Sequence, residues 1–219
     1  MATKPPRGQG RKRRRLSPEA IVETAIRLAD AEGLEAVSIR RVAGELDARA
    51  MSLYDHFASK RELLASMADE GVGEMLAAQP LPDGWREAVA VSARKMYAAY
   101  ARHPWMIFVA AERPRPGPNG VKLAKQMARA LASLPLEHED VWQVQGIVND
   151  YVIGYSFRTV GTVNPEDMEA AIAAGDVVES PELAALPDNL RTRSSIERFE
   201  LGLQTVLDGI ERRFLDRPG

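Results

Sequence analysis

Apolar side chains return every three or four positions through most of this chain, the spacing of one face of a helix. Ile21, Ala25, Leu28 and Ala29 mark a first helix, predicted from about Pro18 to Ala31, with Ser17 as its cap and Pro18 at its first position. Ile39, Val42, Ala43 and Leu46 mark a second behind Ser38. Asp47-Ala48-Arg49 reads as a turn, and Leu53 and Phe57 supply the apolar face of a third helix. A fourth begins at Ser59, with Glu62 at capping-box spacing, and carries Leu63, Leu64, Met67, Val72, Met75 and Leu76 up to Pro80-Leu81-Pro82. Gly71 and Gly73 interrupt it, as a soft point or as a close approach to a neighbouring helix. From near Asp83 the pattern predicts helices at about 83–101, 104–111, 118–133, 137–162 and 191–215. The stretch 164–189 is rich in prolines and acids and is expected to be a mobile lid or loop. The predicted fold class is all-α: a basic arm over 1–15, a three-helix domain over 16–62 and a larger helical domain over 63–219.

Glycines in the two longest late helices form a second pattern. Gly146, Gly154 and Gly161 share one helical face, and Gly202 and Gly209 share another, with Leu201 and Thr205 beside them. Each costs about 1 kcal/mol against alanine inside a helix. Close approach of another helix explains them, either within the chain or across a two-fold dimer. The dimer is the preferred expectation.

The second and third helices leave Ala50, Met51, Ser52, Tyr54, Asp55 and His56 facing outward, with Arg40 and Arg49 nearby. Two helices joined by a short turn, the second short and polar outward, fit the major groove of B-DNA. Charge agrees. Residues 1–60 hold 12 Lys/Arg against 8 Asp/Glu, whereas the remainder hold 17 against 23, so a polyanion suits one end only. Within the arm, Lys4, Arg7 and Arg11-Lys12-Arg13-Arg14-Arg15 come without an acid. They form either a solvated tail or an arm that follows phosphates.

Composition removes other classes. The chain has no cysteine and only three histidines, His56, His103 and His138, which rules out thiolate chemistry and disfavours a histidine metal site. No apolar run reaches the about 18 residues of a membrane span. The N-terminus lacks the apolar core of a signal peptide, and a cytoplasmic protein is expected. Neither a phosphate-binding glycine loop nor a nucleophile motif is present, so an enzyme using His103, Asp150 or Tyr155 is a remote alternative, and no cofactor or metal is expected.

Three segments in order carry a family resemblance: Ser17-Pro-Glu-Ala-Ile-Val-Glu-Thr-Ala-Ile-Arg-Leu-Ala-Asp-Ala-Glu-Gly33, Val37-Ser-Ile-Arg-Arg-Val-Ala43, and Met51-Ser-Leu-Tyr-Asp-His-Phe-Ala-Ser-Lys-Arg-Glu-Leu-Leu64. Over about residues 16 to 68 the chain resembles the DNA-binding region of the TetR (tetracycline-repressor-like) transcriptional regulators. Asp47-Ala48 departs from the glycine and small apolar residue usual at that turn, and aspartate tolerates the left-handed backbone the turn needs. The resemblance implies a homodimeric repressor, paired through helices at about 137–162 and 191–215. Such a repressor binds a palindromic double-stranded operator and is released by a small-molecule effector. A regulator of this fold that activates, or that answers to a protein partner, remains open.

On this reading Ser38, Arg40, Tyr54 and Lys60 face phosphates, the last two by resemblance. Arg49, Ala50, Met51, Ser52 and Asp55 face bases. Asp55 has Arg49 or Arg61 as alternative partners, and His56 suits a phosphate or a partner within the chain. By the same resemblance the larger domain holds an effector, hydrophobic or aromatic in kind. Candidate lining is His103, Trp105, Met106, Phe108, Met127, Trp142, Asn149, Tyr151, Tyr155 and Arg158, although aromatic residues at helical spacing equally form core. Asp150 and Arg158 form either a salt bridge or a polar anchor.

Overall fold

The computed structural model describes residues 16–112, 115–160 and 194–215, and every regular element among them is helical. Backbone contacts divide the chain into two units between Met67 and Ala68. The basic arm, Gly161 and the expected mobile stretch lie outside the described residues.

In the first unit, α1 (Pro18–Glu32) starts where Ser17 Oγ accepts from the Ala20 amide at 3.3 Å. It ends at Gly33, whose φ of 85° only glycine adopts without strain. A single 3₁₀ turn, Leu34–Ala36, leads to α2 (Ile39–Glu45), α3 (Ala50–Tyr54) and the first part of α4 (Lys60–Met75). Ile21, Val37, Val42, Leu53, Leu63 and Met67 are fully buried and form one core. That core fixes three short helices that lack the length to be stable alone. Ser59 Oγ accepts from the Glu62 amide at 3.2 Å, and the Glu62 carboxylate takes the Ala58 amide at 2.7 Å.

The second unit holds the rest of α4, then α5 (Trp85–Arg102), α6 (Trp105–Ala111), α7 (Pro118–Leu131), α8 (His138–Val160) and α9 (Ser195–Ile210), with a π turn at Glu211–Leu215. The pattern carries α4 on to Pro80, but the helix stops at Met75. The backbone at Ala77 turns instead to Gln126 of α7, donating to Oε1 at 3.1 Å and accepting from Nε2 at 3.0 Å. A buried side-chain amide thus satisfies both polar groups of one peptide residue, as burial requires. Asp69 makes the companion contact. Its carboxylate accepts from the Asn119 amide at 3.1 Å and the Gly120 amide at 2.9 Å, while Asn119 Nδ2 donates to the Asp69 carbonyl at 3.0 Å. A carboxylate here answers both the open amides and the positive end of α7.

The glycines of α4 stand against close neighbours. A Cβ on Gly71 would lie 2.4 Å from Met106 Sδ, and one on Gly73 would lie 3.0 Å from Asn119 Nδ2. The late glycines divide. Gly202 lies under the Tyr151 ring, where a Cβ would come within 2.3 Å of the hydroxyl, so its reason is a contact within the chain. Gly146, Gly154 and Gly209 have no neighbour within 4 Å of that position.

α5 lies against α7, α8 and α9. Phe199 is fully buried, with the Tyr97 ring stacked on it at 4.4 Å. Two arginines of α5 reach α9. Arg94 makes a forked pair with Glu200 at 2.7 and 3.0 Å, which raises the guanidinium above its ordinary range. Arg86 contacts Gln204, Asp208 and Glu211.

Asp69→Ala removes a charged acceptor from two amides and leaves them facing a small cavity. The expected loss is about 2–3 kcal/mol, read as a lower urea midpoint by circular dichroism with the slope unchanged. Asp69→Asn keeps an acceptor and should lose less.

Candidate nucleic-acid interface and ligand groove

The outward face of α3 exists because the turn before it is unusually tight. Asp47 sits at φ 51°. Its amide bonds to the Gly44 carbonyl at 3.2 Å, and the next amide, Ala48, reaches the Ala43 carbonyl at 2.9 Å. This pair of bonds is a Schellman ending, in which glycine normally takes the left-handed position. Aspartate holds that position here, as the sequence suggests it can. The turn drives Leu53 and Phe57 into the core and leaves Met51 73 % and Tyr54 48 % exposed. Two large apolar surfaces in one short helix are thus left to water.

Around them Arg40, Arg49, Asp55, His56, Lys60 and Arg61 are exposed, while Ala50 and Ser52 are half-buried. Ser38 caps α2, accepting from the Arg41 amide at 3.1 Å, which leaves its hydroxyl proton free to donate. Arg41 is committed elsewhere, pairing with Glu32 at 2.9 Å and Glu45 at 3.2 Å. Arg40, Arg49, Lys60 and Arg61 form no ion pair among the described residues, so Asp55 makes none with Arg49 or Arg61. The Glu19 carboxyl is held below its usual range first by the Ser17 hydroxyl and its own amide, and slightly by the charge of His56.

In the second unit a groove of about 600 Å³ runs between α7 and the first turns of α8. Val121, Ala124, Ala128, Leu131 and Leu136 line its apolar wall, with Trp142 at one side and Lys125, His138 and Gln145 as its polar members. That volume is ordinary for a small-molecule site. Of the ten expected lining residues, the structure brings only Trp142 to it.

The others have different partners. Tyr151 donates to the Phe199 carbonyl at 2.7 Å, and Tyr155 donates to the Ser195 carbonyl. Both rings pack on Phe199, so they fasten α8 to α9. Arg158 lies over the Tyr155 ring at 5.6 Å and makes no ion pair with Asp150. Trp105, Met106 and Met127 are core. His103 is buried with Nε2 3.4 Å from Glu74 Oε1. Phe108 is exposed and meets Phe157 edge-on at 6.2 Å. Asn149 is half-buried on α8, away from the groove. The sequence signal for the groove was the run Val121, Ala124, Lys125, Ala128, Ala132 at helical spacing, which carries no aromatic residue to draw notice.

Among the described residues there is no cluster of His, Asp and Glu that would hold a metal ion, and no helix long and apolar enough to cross a membrane.

Two family models match the chain. The model "Bacterial regulatory proteins, tetR family" covers residues 21–67, and "Tetracyclin repressor-like, C-terminal domain" covers 79–214. The chain is 32 % identical to the HTH-type transcriptional repressor DrrR1 of Streptomyces coeruleorubidus, over 93 % of this chain and 80 % of that one. It is 29 % identical to the tetracycline repressor protein class A from transposon 1721 of Escherichia coli, over 92 % and 93 %. Among solved structures, the Streptomyces coelicolor TetR family protein ActR in complex with actinorhodin superposes with a TM-score of 0.76 at 28 % identity, covering 90 % of this chain and 97 % of that one.

Asp47→Gly should stabilise the first unit by about 0.5–1 kcal/mol, because glycine adopts the left-handed backbone without a Cβ penalty. The check is the urea midpoint of the first transition. In the second unit, burial pushes Tyr151 and Tyr100 up to about 12. The unfolded phenol ionises near pH 10, so the native state holds these protons more firmly, and stability falls as pH rises from about 10 to 12. Phenolate absorbance of these two residues should emerge together with the loss of helical signal, and Tyr151→Phe should move the alkaline midpoint upward.

Proposed function

This chain belongs to the TetR family of bacterial regulatory proteins, and from that premise we propose that it is a homodimeric, effector-released repressor whose α3 reads an operator. The family is one of DNA-binding transcriptional regulators, not of enzymes. The observation that carries the reading is the outward face of α3, where Met51 and Tyr54 stand exposed beside Arg40, Arg49 and Lys60, which form no ion pair among the described residues. An apolar side chain left in water is costly. Met51 against a thymine methyl and Arg49 against guanine would recover that cost and give sequence preference. Tyr54, Lys60, Arg40 and the Ser38 hydroxyl are assigned to phosphates. A single five-residue helix reads few base pairs, so a palindrome read by two copies, with half-sites about 34–36 Å apart, is part of the proposal.

The dimer face is assigned to α8 and α9. Ile147, Phe157 and Leu201 are exposed on these helices, and Gly146, Gly154 and Gly209 are open. Thr205 bonds its hydroxyl to the Leu201 carbonyl at 2.9 Å, which leaves its methyl group outward. The effector is assigned to the groove between α7 and α8. Gly120 both lines that groove and donates to Asp69 of α4. An occupant that displaces the first turn of α7 therefore acts on α4, the helix whose first residue is Lys60. Binding that favours one arrangement of α4 over another releases the operator by population shift. A repressor acting on its operator in this way works in the cytoplasm, as a binding protein and not as a catalyst.

The test is a mobility-shift titration against DNA from directly upstream of the chain's own gene, with non-specific competitor. A discrete complex on a short palindrome is expected. Tyr54→Ala and Lys60→Ala should each weaken it about tenfold. Lys60→Ala should also reduce the slope of log K against log salt by about one per subunit. Binding without sequence preference, unaltered by either change, would sink the assignment of α3 as the reader.

A further inference from the structure

The charge of the groove is at odds with the charge of the unit that contains it. Residues 68–219 hold 16 Lys/Arg against 22 Asp/Glu, yet among the described residues no carboxylate lines the groove, whose titratable members are Lys125 and His138. α7 itself carries Lys122, Lys125 and Arg129 and no acid between Pro118 and Leu131. Lys125 forms no ion pair among the described residues. Lys125 is the cation that the groove offers to an anion bound against its apolar wall, set against Glu139 and Asp140 in the first turn of α8.

The apolar part of the groove has a shape preference of its own. Ala124, Ala128 and Ala132 recur at intervals of four along α7 and make one wall low and smooth. Facing it from α8 stands Trp142, with its side chain 67 % exposed. A smooth alanine wall and an unburied indole suit a flat ring system, which gains from burial and from offset stacking.

Resting on the reading of this groove as the effector site, we propose that its ligand is a flat aromatic acid. That is a conjugated or fused-ring molecule carrying one carboxylate, sulfonate or ionised phenol, its rings against Trp142 and the alanine wall. The acid group pairs with Lys125, with His138 and the Gln145 amide near enough to the same groove to share in its recognition.

Two dyes with the same rings separate the claims. 8-Anilinonaphthalene-1-sulfonate carries an acid group, and N-phenyl-1-naphthylamine lacks it. Both are titrated by fluorescence into the full chain and into Lys125→Gln, Lys122→Gln and Trp142→Ala, each checked for native helical content. Lys125 is exposed, so its replacement leaves the fold intact. Lys125→Gln is expected to weaken the sulfonate dye about fivefold and to leave the neutral dye unchanged. Lys122→Gln, on the same helix but outside the groove, should leave both unchanged. Trp142→Ala should weaken both dyes. If Lys125→Gln shifts the two dyes equally, or shifts neither, while Trp142→Ala still weakens both, the acid class is refuted and the groove survives as an effector site. If Trp142→Ala affects neither dye, the groove assignment falls and the ligand class with it.

Discussion

The second unit depends on how α7 is held. Its buried side presents Gln126, Met127, Ala130 and Leu131, and two polar attachments set its position against α4. One is neutral, the paired bonds between Gln126 and the backbone of Ala77. The other is charged, the Asp69 carboxylate on the amides of Asn119 and Gly120. A helix packed by apolar contact alone can slide or rotate at small cost, because dispersion is weakly directional. Hydrogen bonds at its first turn and at Gln126 remove that freedom, since a shift would leave buried and half-buried polar groups without partners. The glycines follow from this constraint. A Cβ on Gly117 would lie 2.4 Å from the Asp69 carboxyl carbon, so the carboxylate reaches the amides only because nothing stands in its way. With its inner face so fixed, α7 can leave its outer face as the wall of a groove.

A second polar arrangement does for α8 and α9 what Asp69 does for α7. Phe199 is the buried centre, and Tyr97, Tyr151 and Tyr155 surround it. The two tyrosine hydroxyls of α8 end on backbone carbonyls at the start of α9. Tyr155 is buried and Tyr151 half-buried, each with its hydroxyl bonded, and Gly202 supplies the room for the Tyr151 ring. α8 also meets α5, α6 and α7, yet Gly146, Gly154 and Gly209 stand open, with no neighbour within 4 Å of a Cβ position. The same residue type therefore serves two purposes on neighbouring turns, and only the packing partner tells them apart.

This difference explains how much was legible in the sequence. Local signals were read well because their physics is local. Ser17 and Ser38 cap α1 and α2 through hydrogen bonds spanning three residues, and Asp47 takes the left-handed backbone that its side chain allows. The capping box Ser194-Ser-Ile-Glu197 is equally local, and it places the first residue of α9 at Ser195 where the sequence reading expects about 191. Contacts between distant segments were not legible. Tyr151 and Tyr155 share a helical face whether they line a pocket or clamp another helix, and spacing cannot distinguish the two. The end of α4 was lost for the same reason, since Gln126 lies 49 residues from the Ala77 backbone it satisfies. Nor could small residues announce the groove, whose wall is mostly alanine and leucine.

The two candidate surfaces share one physical signature, although they sit in different units and serve different ligands. Each leaves a large apolar side chain in water next to a cation that forms no ion pair among the described residues: Met51 and Tyr54 beside Arg49 and Lys60, and Trp142 in a groove with Lys125. Among the described residues Arg41, Arg86, Arg94 and Arg102 each pair with at least one acid, whereas Arg27, Arg129 and Arg158 form no ion pair. Single exposed apolar residues are common on any protein surface. Neither an exposed apolar side chain nor a surface cation without an ion pair adds to the stability of the isolated chain. The coincidence is accounted for when the missing partner is an external anion with flat apolar faces. Stacked bases on a phosphate backbone meet that description at α3, and an aromatic acid meets it at the groove.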